Sequence, residues 1–187
     1  RIGKARKEGG RFVLAFHDTH HRAVSAECEL FAFDLSGYDL VLAFGATLTD
    51  LYSRRGWGNR AQTWHEAADT ALFRPLPLRR KEHDLVWIGN WGDGERRAEL
   101  EEYLFEPVRH LGLTGRVHGV RYPAEALEAV RHAGLIHDGW IANADVPSAF
   151  AAARMTVHVP RKPYVKALPG IPTIRVFEAL ACGIPLV

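Results

Sequence analysis

The sequence predicts an α/β protein built from two doubly wound units, and three observations carry that prediction. Short continuous apolar runs alternate with longer stretches whose apolar residues recur every three or four positions. Buried parallel strands and their covering helices alternate in this way. The alternation breaks once, at Phe73-Arg-Pro-Leu-Pro-Leu78 and the polar run Arg79 to Asp84, and then restarts. Prolines this close together hold the chain extended, as a linker requires. The composition is globular: 47% apolar, with 24 basic and 22 acidic side chains in 187 residues. The resulting charge of +2 has both signs interspersed, which argues against a dedicated nucleic-acid partner. No apolar run reaches the roughly 20 residues of a membrane span.

In the first unit, residues 1–78, Phe12 to Phe16 and Asp39 to Phe44 read as strands. Thr47 to Arg55 reads as a helix with Leu48, Leu51 and Tyr52 on one side and a stop at Gly56; Arg60 to Trp64 is a weaker strand. Residues 79–84 are the linker. The second unit, 85–187, opens with the strand Leu85 to Ile88, then a glycine-containing loop, Gly89 to Gly94. A long helix starts near Glu95, with the stripe Leu100, Leu104, Val108 and Leu111, and Pro107 predicts a kink or a break within it. Arg116 to Val120 is a strand. Pro123 opens a helix with Leu127 and Val130 inward. Leu135 to Ile141 is a strand, Pro147 to Ala153 a helix and Met155 to Val159 a strand. Thr173 caps a last helix that ends at Gly183, and Leu186-Val187 begins another strand. The chain begins at Arg1 and stops inside an apolar run, so it reads as an internal fragment with both units incomplete, inactive by itself. Cys28 and Cys182 have no partner spacing, and both read as small buried apolar residues in a reducing, cytoplasmic compartment.

Doubly wound sheets bind ligands beyond the carboxyl ends of their strands. Three loops lie there. Gly89, Asn90, Trp91 and Gly92 precede a helix whose start holds Arg96 and Arg97. Basic residues at that end oppose the helix dipole unless an anion sits there. The spacing is neither the dinucleotide fingerprint nor a P-loop, and a tight turn explains the same glycines. Trp91 and Trp140 suit either base stacking or a wall of the core. In Thr173-Ile-Arg175-Val-Phe-Glu178 a helix N-terminus and an arginine make a second anion site. Glu178, one turn in, either accepts hydrogen bonds from a ribose diol or is a solvated helix residue. Arg161 follows a strand end and is a candidate diphosphate contact. His17-Asp-Thr-His20-His21-Arg22 follows the first strand of the first unit. Its spacing matches no standard metal site. It reads either as a set of ligand contacts facing a cleft or as surface histidines, with His20, ahead of His21 and His17, the candidate catalytic residue. A metal-dependent hydrolase using His17 to His21 is the lesser alternative.

Phe177-Glu-Ala-Leu-Ala-Cys-Gly-Ile-Pro-Leu-Val187 resembles the nucleotide-binding helix of GT-B glycosyltransferases of the group-1 type. The Arg-Val-Phe-Glu version, following Gly-Ile-Pro-Thr, is similar to the spore-maturation-protein-like (CgeB-like) branch. His65-Glu-Ala-Ala-Asp69-Thr-Ala-Leu-Phe73-Arg-Pro75 resembles the segment that closes the N-terminal domain in that superfamily. The resemblance implies two Rossmann-like domains: 1–78 as the back part of the acceptor domain, 79–84 as the linker and 85–187 as a truncated donor domain. It implies transfer of a sugar, with retention, from a nucleotide-diphosphate-sugar donor to an unknown acceptor: polysaccharide, glycan, protein or small molecule. Neither a cofactor nor a metal is expected. By the same resemblance Glu178 holds the donor ribose, while Arg175, Arg96 and the loop Gly89 to Gly92 face the diphosphate. One departure stands out. The superfamily often has an acidic residue eight positions before the ribose-binding one, and here that position is Gly170. This supports the alternative of a non-catalytic nucleotide-sugar-binding protein of the same fold, such as a spore or surface assembly factor.

Overall fold

The structure, a computed structural model, describes residues 4, 7–19, 22–30, 32–57, 60–77, 80–92, 94–166 and 172–187. The chain divides into two compact units, one of residues 1–66 and 163–172, the other of 67–162 and 173–187.

The first unit holds a three-stranded parallel sheet in the order β1 (Ala15–Asp18), β2 (Leu40–Ala43), β3 (Ala61–Thr63). The short helices α1 (Arg22–Ser25) and α2 (Glu27–Leu30) follow β1, and α3 (Ala46–Arg55) follows β2. Pairing of β1 with β2 is started by Asp39, whose carboxylate accepts from Leu14 N–H and whose own N–H donates to Leu14 O. That pairing sets β1 three residues later than the apolar run suggests, and Phe12 and Val13 lie exposed ahead of it. Val41, Ala43, Phe44, Leu48 and Tyr52 form the centre of the core. α3 ends at Gly56, whose φ of 65° allows the closing turn. Cys28, expected to be buried, is exposed in the four-residue α2; Cys182 is half-buried.

The second unit holds a four-stranded parallel sheet in the order β6 (Ile136–Gly139), β5 (Gly115–His118), β4 (His83–Ile88), β7 (Ala153–Thr156). Leu186 bridges to Thr156 in parallel and extends the sheet past β7. Strand order reverses at β4, which makes its junction with β7 the topological switch point. β4 explains its own continuous apolar run, because successive side chains enter opposite faces. Leu85 and Trp87 pack with Leu100, Leu104 and Val117; Val86 and Ile88 pack with Phe73, Phe150 and Ala179.

The break expected at Pro107 takes a specific form. α4 (Arg97–Leu100) widens into a π-helical turn, Glu101–Phe105, and then tightens into α5 (Glu106–Leu111). Proline has no N–H for the carbonyl one turn back, and a widened turn immediately before it absorbs the mismatch. The extra residue shifts the apolar stripe: Phe105 is buried with Leu104 and Val108, whereas Leu111 is 65% exposed. In α6 (Ala124–His132) the inward residues are Ala126 and Val130, and Leu127, expected inward, is exposed. A 3-10 turn, Asn143–Asp145, leads into α7 (Val146–Ala152); α8 (Lys162–Lys166) belongs from Pro163 onward to the first unit, and α9 is Ile174–Ala181. Among the described residues no helix is long and apolar enough to cross a membrane.

Candidate functional site

The candidate site lies in the second unit, where the chain leaves β4 and β7 and enters α9. The loop after β4 is stitched to the end of β5. Gly89 N–H donates to His118 O at 2.9 Å and Trp91 N–H to Val120 O at 3.2 Å. Asn90 Oδ1 accepts from Val120 N–H, and the Tyr122 hydroxyl donates to Gly89 O. The two turns approach so closely that a Cβ on Gly119 would stand 2.1 Å from Gly89 O. Gly92, at φ 71°, turns the chain back toward α4. The Trp91 ring is core, against Tyr122 with ring centroids 5.6 Å apart. Trp140, the other candidate for base stacking, is exposed.

Arg96 ties this loop to β7. It is only 7% exposed. Its Nη1 donates to Val159 O at 3.0 Å, its Nη2 donates to Asn90 O, and the guanidinium lies over the Trp87 ring. Among the described residues its Nε has no acceptor. Burial is the main force lowering its pKa, yet a guanidinium keeps its charge in a protein. Arg96 is therefore a buried cation clamping two strand ends. Arg161, two residues beyond Val159, is ion-paired with Glu95.

α9 supplies the other wall. Thr173 sits at the capping position with extended backbone, but its hydroxyl does not cap the helix; it lies 3.3 Å from His158 Nε2. Arg175, in the first turn, places Nη1 2.6 Å from Glu178 Oε2. Glu178 is 3% exposed, which removes the reading of a solvated helix residue. Burial pushes the Arg175 guanidinium down and Glu178 opposes that shift. The sequence reading passed over His158. Burial first, then Arg96 and Arg175, hold its imidazole below the usual histidine range. The available signal was a lone polar residue in Val157-His-Val159, at a strand end beside the switch point.

In the first unit, Asp18 is buried and accepts from the Tyr52 hydroxyl at 2.8 Å, while His17 is exposed. His20, His21 and Gly170 lie outside the described residues. Among the described residues no three His, Cys, Asp or Glu side chains are grouped to hold a metal ion.

These parallel sheets and the solved structures they match define part of the GT-B glycosyltransferase fold. The chain is similar to sucrose-phosphate synthase from Thermosynechococcus elongatus, with 16% identity and a TM-score of 0.62 over 99% of this chain and 52% of that one. It is similar to T4 phage BGT in complex with its UDP-glucose substrate, with 15% identity and a TM-score of 0.59 over 91% and 53% of the two chains. S. aureus TarM, solved with UDP, gives 10% identity and a TM-score of 0.59 over 86% of this chain and 32% of that one. The chain thus spans about half the length of the first two. Residues 96–187, just under half of the chain, match the Glycosyl transferase-like family, a segment that begins at Arg96 and ends just beyond α9. Among curated proteins none matches the sequence.

Proposed function

We propose that the protein transfers a sugar, with retention, from a nucleotide-diphosphate-sugar donor to an unidentified acceptor, without metal or cofactor, in the cytoplasm. The finer placement is the spore-maturation-protein-like branch of the glycosyltransferases. The observation that carries the reading is the cluster of Arg96, Arg175 and Glu178 at the switch point and the start of α9, inside the segment that matches the glycosyltransferase family. In this reading Glu178 accepts the ribose hydroxyls. Arg175, with Arg161 and the positive end of α9 at Thr173, takes the diphosphate. Arg96 adds buried charge and fixes the loop Gly89 to Gly92. Cations and a helix dipole held in place stabilise the diphosphate as it departs. His20 is kept as the proposed catalytic contact in the first unit.

Calorimetric titration of the full protein with UDP-glucose, GDP-mannose and TDP-glucose tests the site. Glu178→Gln keeps the shape and weakens binding of the accepted donor by about 1–3 kcal/mol, the scale of hydrogen bonds to a charged group. An affinity equal to wild type removes Glu178 from the site. The non-catalytic alternative has its own support: nothing acidic occurs between Met155 and Phe177. It wins if a donor binds and no sugar is transferred or hydrolysed when cell extract is offered as acceptor.

A further inference from the structure

His158 stands where several parts of the second unit meet. Its backbone N–H donates to Val187 O at 2.8 Å, which fixes it beside the end of the sheet. Its Nε2 contacts the Thr173 hydroxyl at the entrance of α9, and among the described residues this is the imidazole's one hydrogen-bond partner. Two buried cations act on it: Arg96 from the loop before α4 and Arg175 from the first turn of α9. Glu178 is paired with Arg175 and Glu95 with Arg161, and Glu95 and Glu99 both act on Arg96. Among the described residues the Arg96 Nε is a buried donor with no acceptor. Burial first, then Arg96 and Arg175, disfavour the protonated imidazole there.

A diphosphate diester in the same place reverses that balance. It carries two negative charges, and an opposite charge within a few ångströms favours the protonated ring. We infer that His158 is a diphosphate contact of the donor site that carries a proton only in the bound state: neutral in the free protein, imidazolium when a nucleotide-diphosphate sugar lies before α9. The inference rests on the donor-site reading above. One proton passes from buffer to an imidazole nitrogen as the ligand enters and returns to buffer as it leaves; no covalent bond is made or broken. Both nitrogens of an imidazolium are donors. Nε2 then donates to Thr173 Oγ1, and the Thr173 hydroxyl turns its own hydrogen toward the anion.

The test is calorimetry of the full protein with UDP-glucose and with GDP-mannose near pH 7, in buffers of different ionisation enthalpy. Neither ligand titrates near neutrality, so buffer-dependent heat reports a proton taken up by the protein. For wild type the expected result is uptake of up to one proton per ligand and a Kd that tightens toward lower pH, by at most tenfold per pH unit. His158→Gln binds with no buffer dependence and a Kd that is flat with pH. Binding by wild type without buffer dependence overturns the inference, whatever the variant does. Buffer dependence that persists in a folded His158→Gln overturns it as well. If neither sugar nucleotide binds, the donor-site reading falls, and the inference falls with it.

Discussion

Both units bury charge at the carboxyl end of a parallel strand, and they do so in opposite ways. In the first unit Asp18, the last residue of β1, is met by the Tyr52 hydroxyl of α3. In the second, Arg96 donates to Val159 O beside His158, Arg175 pairs with Glu178, and both cations act on the imidazole. A buried carboxylate answered by a phenol holds a strand to a helix. Two buried guanidiniums and burial itself disfavour a charge on His158, while Glu178 pairs with Arg175 and Glu95 and Glu99 act on Arg96. The difference separates a packing contact from the site proposed to take an anion.

Arg96 is the strongest lever on that comparison. Arg96→Met keeps the stem over Trp87 but strips Asn90 O and Val159 O of a charged donor. The second unit should lose about 3–5 kcal/mol, since each hydrogen bond to a charged group is worth about 1.5–3 kcal/mol and the abandoned carbonyls stay buried. Amide exchange reads the two units separately. Protection of the Leu85 amide, bonded to Thr114 O, should fall, while that of Val41, bonded to Arg60 O in the first unit, should hold. Equal losses at both amides would show that the clamp is not local to the switch point.

Tyr52→Phe is the counterpart, with a smaller effect. It deprives Asp18 of one donor without opening a cavity, for a loss of about 2 kcal/mol. Val41 should now lose protection and Leu85 keep it. An unchanged Val41 would mean that the remaining contacts of Asp18 satisfy the carboxylate.

Much of this arrangement was legible in the sequence, and what was not has identifiable causes. The strands and α9 could be read because buried runs and the Thr173-to-Gly183 signals are local. Arg96 could be placed at a helix start, but its clamp could not: its partner Val159 O is 63 positions away and is a backbone atom that any residue would supply. His158 was passed over for a related reason, since its lowered pKa depends on burial and on Arg96 and Arg175, which come from other parts of the sequence. Leu111 and Leu127 were turned the wrong way by simple helical spacing. For Leu111 the π turn ahead of Pro107 adds a residue and rotates the stripe. In α6 the small Ala126 takes the inward position.

The smallest effect is the one with pH, and it distinguishes the units by direction. Between pH 7 and 5 the described groups that matter are histidines whose pKa is lowered on folding. His118 and His158 are both held down chiefly by burial, and both belong to the second unit. Below the ordinary histidine pKa of about 6.5 the unfolded chain binds a proton at each of them that the folded chain does not. Stability of the second unit should therefore fall as pH drops through 6.5, by at most about 1.4 kcal/mol per unit for each histidine, until the folded-state pKa is reached. Corrected for intrinsic rates, Leu85 protection should decline over this range more steeply than Val41 protection, and His158→Gln should make its decline shallower. In alkali the contrast disappears. Tyr52 in the first unit and Tyr122 in the second are both raised, mainly by burial. Above about pH 10 the unfolded chain releases protons that the folded chain keeps, so both amides should lose protection together. A Leu85 amide as flat as Val41 from pH 7 to 5 would mean that the imidazoles are not held neutral. The depressed imidazole of His158 would then have to be discarded as the feature that separates the two units.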